Sequence, residues 1–202
     1  KFRSNNSKEV SDQISIEEPL EIILKYKDKE NWIENTISIT MRTPGDDEDL
    51  VTGFLFNERV IEKISHIENI VANGEPVGQY KLQNKVIITI NNSENIDIDK
   101  IKRNFLTNSS CGVCGKTSLE SLEIIKKDKI LKLIPKIHHE IIMKSPDILK
   151  QNQSEFSKTG GIHASGLFRA NGEIIAVKED VGRHNALDKL IGFVLKQNLL
   201  DN

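Results

Sequence analysis

The chain has 202 residues, enough for one domain or two small ones with a sizeable buried core. Hydrophobic residues make up 37%, and no apolar run approaches the ~18 residues of a membrane-spanning helix, so such a span is excluded. Lys and Arg number 28 against 30 Asp and Glu; a net charge of −2 argues against a general nucleic-acid binder.

Residues 1–15 are polar and read as a loose arm or an edge segment. Lys1-Phe2-Arg3-Ser4-Asn5-Asn6 holds no apolar segment of a signal peptide, which makes a cytoplasmic location the expectation. Pro19 to Lys27, with Leu20, Ile22, Ile23 and Leu24, reads as a strand. Thr36 to Met41 alternates with period two and reads as its half-buried antiparallel partner, joined through a loop from Asp28 to Asn35. Thr43-Pro44-Gly45 stops the second strand. Asp46, Asp47, Glu48 and Asp49 then open a helix whose apolar face is Leu50, Val51, Phe54 and Leu55. Acids belong at the positive end of a helix, so these four read as start-of-helix electrostatics, with a metal site as the lesser alternative. Ile67 to Val71 and Val86 to Ile90 read as further strands, with a turn at Asn73-Gly74. Asn91 to Asn108 is polar and weak in signal.

The next stretch holds both cysteines of the chain: Ser109-Ser110-Cys111-Gly112-Val113-Cys114-Gly115-Lys116-Thr117. A helical pattern with Leu119, Leu122 and Ile125 follows at once. Two thiols on a Gly-rich turn at a helix start meet backbone N–H groups and the positive dipole end, which favour an anion. A free cysteine pKa of about 8.5 falls to roughly 3.5–7.5 in such surroundings. Close-spaced cysteines in a chain of this kind point to metal binding or sulfur chemistry rather than a disulfide framework. Ile130 to Ile134 is a further apolar run ended by Pro135. His138 and His139 are adjacent and expected on the surface. Ser145-Pro146-Asp147 reads as the start of a helix running to about Ser157, with Ser145 as cap.

Thr159-Gly160-Gly161 closes that helix. Ile162 to Phe168 and Glu173 to Val177 flank Asn171-Gly172, a strong hairpin signal. Gly160 and Gly161 leave room for close backbone approach to a ligand, and His163 lands on the adjoining strand. Lys178 to Asn185 then crowds acids, Arg183, His184 and Asn185 into a strand-to-helix turn, where α/β proteins place their sites. The plainer alternative is a capped turn in which Asp180 or Asn185 satisfies backbone donors. The last helix shows Ala186, Leu187, Leu190, Ile191, Val194 and Leu195 on one face. Strands followed by mixed helices and strands indicate an α/β or α+β fold with a mixed sheet.

Cys111-Gly112-Val113-Cys114-Gly115-Lys116, Thr159-Gly160-Gly161-Ile162-His163-Ala164 and Glu179-Asp180-Val181-Gly182-Arg183-His184-Asn185-Ala186-Leu187-Asp188-Lys189 together resemble the formate dehydrogenase accessory sulfurtransferase family. Thr43-Pro44-Gly45 and the helix from Asp49 to Val60 also resemble it. The resemblance implies a protein that takes sulfane sulfur from a cysteine desulfurase as a cysteine persulfide. It hands that sulfur to the molybdenum bis-guanine-dinucleotide cofactor needed by formate dehydrogenase. Cys111 matches the persulfide-bearing cysteine and Cys114 its partner. Also implied are a cytidine-deaminase-like three-layer α/β/α fold, a smaller N-terminal β-rich portion over 1–108, the cysteine loop and deaminase-like part over 109–202, and a homodimer. The family's last C-terminal stretch is expected to be missing.

The cofactor is large and carries phosphates. From residue type and position, Gly160, Gly161, His163, Arg183, His184 and Lys189 are assigned to bind it. No metal ion is expected to reside in the protein. The rival readings are weaker. A zinc deaminase needs H-x-E ahead of P-C-x-x-C, whereas here Ser165 stands in the place of that Glu and the cysteines come first. A P-loop would need Gly where Ser110 stands. A thioredoxin-like oxidoreductase would leave the later polar motifs unused. From a different class, a non-catalytic chaperone could bind the cofactor, with Cys111, Cys114 and two histidines holding structural zinc.

Overall fold

The computed structural model describes residues 11–78, 80–91 and 136–199. The cysteine turn, the helix expected over 118–127 and the strand expected over 130–134 lie outside them. The described residues form a mixed α/β architecture with a four-stranded sheet, a two-stranded sheet and four α-helices.

Strands β1 (Glu18–Asp28) and β2 (Asn31–Arg42) form the expected antiparallel hairpin. Its turn is far tighter than the expected loop. Lys29 and Glu30 alone connect the strands, with Lys29 at a positive φ of 56°. Residues 31–35 hid from the period-two pattern because they are mostly polar. They are held by polar partners instead: Lys25 Nζ meets Glu34 Oε1 at 2.7 Å, and Asn35 Nδ2 donates to Tyr26 Oη at 2.9 Å. A bulge inserts Ile37 between the pairs Ile22–Ser38 and Ile23–Thr36. Strands β3 (Ile67–Asn73) and β4 (Lys85–Ile90) complete the order β2-β1-β4-β3, with β4 parallel to β1.

One face of this sheet is the core. Leu20, Ile22, Leu24 and Tyr26 alternate along β1 and are joined by Val86, Ile88 and Ile90 of β4. Helix α1 (Asp47–Asn57) closes the face with Leu50, Val51 and Leu55. Burying each such side chain contributes about 1.5–3 kcal/mol.

The acids at the start of α1 do more than meet the helix dipole. Asp47 takes both arms of Arg42, from Nε and Nη2 at 2.9 Å each, and Arg42 is buried at the end of β2. Lys178 bridges Asp46 at 3.0 Å and Asp49 at 2.8 Å, and Lys196 bridges Glu48 and Asp49 at 3.0 Å each. Burial pulls the Lys178 ammonium down, but its bonds to Asp49 and Asp46 outweigh this and hold its pKa above the usual lysine value. The acids thus tie α1 to the C-terminal part of the chain.

Helix α2 (His139–Gln151) does not begin at Ser145, as the Ser-Pro pair suggested. It begins six residues earlier and runs through Pro146. Proline cannot donate to the carbonyl of Ile142 four residues back, and the Ser145 hydroxyl takes that carbonyl at 2.8 Å. The Ser is therefore a repair inside the helix, not a cap. The helix ends at Asn152, and a separate short helix α3 (Ser154–Thr159) follows. His138 and His139 are exposed, as expected.

Strands β5 (His163–Phe168) and β6 (Ile174–Asp180) form the expected hairpin, turning at Asn171-Gly172 with Gly172 at φ 88°. Strand β6 runs three residues further than expected, so Lys178, Glu179 and Asp180 belong to the strand. Helix α4 (Arg183–Lys196) starts at Arg183 rather than Ala186. Its buried face includes Ala186, Leu190, Val194 and Leu195, whereas Leu187 is exposed. Helix α4 packs on the hairpin and on α1. The α1–α4 crossing is close because glycine stands at both contacts: a Cβ at Gly53 would overlap the Asp188 carbonyl, and one at Gly192 would overlap that of Asp49. No helix among the described residues is long and apolar enough to cross a membrane.

Candidate functional site

The candidate site is built where β6 runs into α4 and meets the end of β2. At its base lies Asp180, fully buried with 0% exposure. A buried carboxylate is costly unless its oxygens are satisfied, and here both are. Oδ1 accepts from Gly182 N at 2.8 Å and Asn185 Nδ2 at 3.0 Å. Oδ2 accepts from Thr43 N at 3.1 Å and lies 2.8 Å from Lys189 Nζ. Thr43 returns the contact, its hydroxyl accepting from Val181 N at 3.0 Å. The capped-turn alternative thus holds for Asp180: it satisfies the Gly182 donor within the turn and the Thr43 donor beyond β2.

Asn185 extends this node to β2. Its Nδ2 donates to Met41 O at 2.7 Å and its Oδ1 accepts from Thr40 Oγ1 at 3.2 Å. Lys189 is 2% exposed, and its ammonium spends its donors on Asp180 Oδ2, on Thr43 O at 2.8 Å and on Glu179 O at 3.4 Å. It was assigned to the cofactor from charge and position. Its geometry is that of an internal strut, because an ammonium has three donors and all three are engaged here.

Arg183 and His184 are placed differently. Both are exposed in the first turn of α4, whose N-cap is Gly182 with no side-chain cap. The first-turn N–H groups, the positive dipole end and a guanidinium there favour an anion. Neither side chain is paired with another described residue. His163 opens β5 and pairs in register with Asp180, so it sits at the same end of the hairpin, and it too is exposed. Gly160 and Gly161 precede it by two or three residues and reach that same end. Gly160 caps α3 at φ 68°, a conformation that suits glycine. Beside Gly161 only the Thr159 carbonyl, at 3.9 Å, would meet a Cβ among the described residues, so its backbone face is open. The structure therefore brings Gly160, Gly161, His163, Arg183 and His184 to one rim. Cys111 and Cys114 lie outside the described residues.

Two residues of the quoted motifs have roles at this rim that the sequence does not show. Thr43 was read as a strand stop, yet it bonds Asp180, Val181 and Lys189. Glu179 was read as part of a polar turn, yet its carboxylate reaches away from that turn. Oε2 accepts from Glu155 N and Oε1 from Phe156 N, at 2.9 Å each. The uninterrupted apolar-to-polar run from Ile174 to Asp180 marks the strand that carries Glu179, whereas no local signal marks Thr43. Elsewhere, His138, His139 and Glu140 bring ligand-type atoms within 4.8 Å of one another, all on exposed side chains at the start of α2.

Comparison with known proteins agrees with the sequence motifs. Residues 15–201 match the model of a family described as FdhD/NarQ. The protein named Sulfur carrier protein FdhD from Picrophilus torridus is 43% identical over 191 residues, covering 94% of this chain and 66% of that protein. Its namesake from Sulfolobus acidocaldarius is 36% identical over 189 residues, covering 94% and 64%. That from Streptomyces coelicolor is 40% identical over 187 residues, covering 92% and 64%. The chain thus spans slightly under two thirds of the length of these relatives. A crystal structure assigned to a formate dehydrogenase accessory protein from Desulfotalea psychrophila superposes with a TM-score of 0.63 at 23% identity, covering 96% of this chain and 66% of that one, which shows a shared fold. With a family match that runs through the Thr43 loop, the Gly160-Gly161 rim and the Asp180 node, this chain belongs to the FdhD/NarQ family.

Proposed function

We propose that this chain is a sulfur carrier that serves formate dehydrogenase. Its Cys111 accepts sulfane sulfur from a cysteine desulfurase and passes it to the molybdenum bis-guanine-dinucleotide cofactor, which the chain holds as substrate. The observation that carries the reading is the coincidence, in one member of this family, of Cys111-Gly112-Val113-Cys114 with an exposed rim of glycines, histidines and Arg183. The reading brings with it a cytoplasmic homodimer.

The first transfer is a thiol exchange. The Cys111 thiolate attacks the outer sulfur of the desulfurase persulfide, the sulfur–sulfur bond breaks, and the desulfurase thiolate leaves. Cys111 then carries an S–SH group, with no net oxidation. Sulfide is released when the Cys114 thiolate attacks the Cys111 sulfur: a Cys111–Cys114 disulfide forms, HS⁻ departs towards the cofactor, and a dithiol reductant restores the pair. Arg183, His184 and the α4 amides offer donors to the cofactor's phosphates, and the open backbone at Gly160-Gly161 lets the nucleotide approach closely. The saturated Asp180 node fixes the rim on which they stand.

A cofactor-binding chaperone without sulfur chemistry is the competing class. Cys111→Ser separates them. In cells lacking their own copy, a sulfur carrier with this change still binds the cofactor but yields inactive formate dehydrogenase. Retention of formate dehydrogenase activity by Cys111→Ser would establish the chaperone instead.

A further inference from the structure

We propose that Glu179 is the positioning residue of the Thr159-Gly160-Gly161 loop and so sets the affinity of the rim for the nucleotide end of the cofactor. This rests on the reading of that rim as the cofactor site.

Helix α3 has few other ties: the Thr159 hydroxyl meets the Ser15 hydroxyl at 2.9 Å, and Lys158 bridges Glu155 within the helix at 2.8 Å. It is six residues long, none of them is buried, and its own N-cap residue, Gln153, provides no side-chain cap. A helix this short is not stable by itself. Glu179 reaches across from β6 and supplies the missing cap: its carboxylate accepts from Glu155 N and Phe156 N at 2.9 Å each, and from the Ser154 hydroxyl at 3.3 Å. A carboxylate on the first N–H groups of a helix is a charge-assisted bond with the dipole in its favour.

The two residues held in this way are the two that hold the loop. Glu155 O accepts from the Thr159 hydroxyl at 2.8 Å, and Phe156 O accepts from Gly160 N at 2.8 Å. One turn of helix therefore connects the Glu179 carboxylate to the loop, with a bond at each end. The next residue along β6, Asp180, fixes the opposite side of the rim through Gly182 and Asn185. Two adjacent acids thus set the two sides: Glu179 places Gly160-Gly161, and Asp180 places Arg183 and His184.

The test uses the full chain with Glu179→Ala and Glu179→Gln, and GDP as a probe carrying a guanine base and a diphosphate. Amide hydrogen exchange reads loop placement directly. In Glu179→Ala, faster exchange is expected at Glu155, Phe156 and Gly160, confined to 154–161, while the amides of α4 stay protected. Calorimetric titration is expected to show GDP affinity about tenfold weaker, because only part of the loss of the two charge-assisted bonds reaches the rim. Glu179→Gln keeps one acceptor oxygen and is expected to fall between wild type and Glu179→Ala. Persulfide loading of Cys111 should be unchanged in both variants, which a general loss of structure would not allow. Unchanged exchange at Gly160 in Glu179→Ala overturns the positioning role, as does GDP affinity equal to a binding wild type. Absence of GDP binding by wild type removes the cofactor-site reading instead, and the exchange pattern alone then decides the role of Glu179.

Discussion

Asp180 and Arg183 stand three residues apart in one motif and live in opposite surroundings. Asp180 is sealed from water, with both oxygens engaged by four donors. Arg183 is exposed at an uncapped helix start. The same division separates Lys189, which is an internal strut, from His184, which faces out. Residue type does not distinguish a side chain that builds a site from one that uses it. Burial and the count of satisfied hydrogen bonds do.

The largest expected effect comes from breaking the sealed half. Asp180→Ala leaves the Lys189 ammonium buried without its counter-charge, and the Thr43 and Gly182 amides without acceptors. A loss of about 3–5 kcal/mol is expected, measured by urea denaturation. A loss below about 1 kcal/mol would mean that the node is not what holds the turn.

Next in size is the crossing on which that half stands. Gly192→Ala puts a methyl group into the Asp49 carbonyl, where the neighbour is backbone and cannot swing away. A cost of about 1–3 kcal/mol is expected. The same substitution at Gly161, where only the Thr159 carbonyl comes near a Cβ, should leave the melting temperature almost unmoved. Equal losses at the two positions would contradict the contrast.

A smaller effect, visible mainly through pH, is expected at Asp188. Burial is the main force pushing its carboxyl up to about 7, with the Glu58 and Asp180 charges adding to it and the Asn57 hydrogen bond at 2.6 Å opposing. The folded state therefore keeps a proton that the unfolded chain has already lost above its ordinary 3.8. Stability from this group is full below that value and declines as pH rises towards 7. Asp188→Asn keeps an acceptor for Asn57 and removes the decline. It should be the more stable form at pH 8, by on the order of 1 kcal/mol. Parallel stability curves from pH 5 to 8 would show that Asp188 titrates normally.

The smallest structural effect is expected in the open half. Arg183→Ala should leave the melting temperature where it is while weakening GDP binding, with persulfide formation at Cys111 intact. A fall in melting temperature as large as that of Asp180→Ala would place Arg183 in the scaffold.

Much of the fold was legible because periodicity reports burial. The strand over the apolar stretch Leu20 to Leu24, the run from Val86 to Ile90 and the Asn171-Gly172 turn all stand as read. What escaped had its cause in distant partners. Residues 31–35 are polar and pair by hydrogen bonds that no apolar count detects. Ser145-Pro146 has the composition of a helix start, and only the Ile142 carbonyl, lacking its usual donor, shows why the helix passes through it. Gly53 and Gly192 sit more than a hundred residues apart and mean little until two helices cross there. The rim glycines and Arg183 were legible as a motif. The inward turn of Lys189 was not, because its three acceptors come from the end of β6 and from Thr43 just beyond β2, far apart in the chain.

The most direct test of the sulfur-carrier account is the intact mass of the protein after incubation with a cysteine desulfurase and cysteine, with Cys111→Ser and Cys114→Ser alongside. The account predicts a gain of one sulfur atom in wild type and Cys114→Ser, removed by a thiol reductant and absent in Cys111→Ser. No gain in wild type, or a gain that persists in Cys111→Ser, would contradict it.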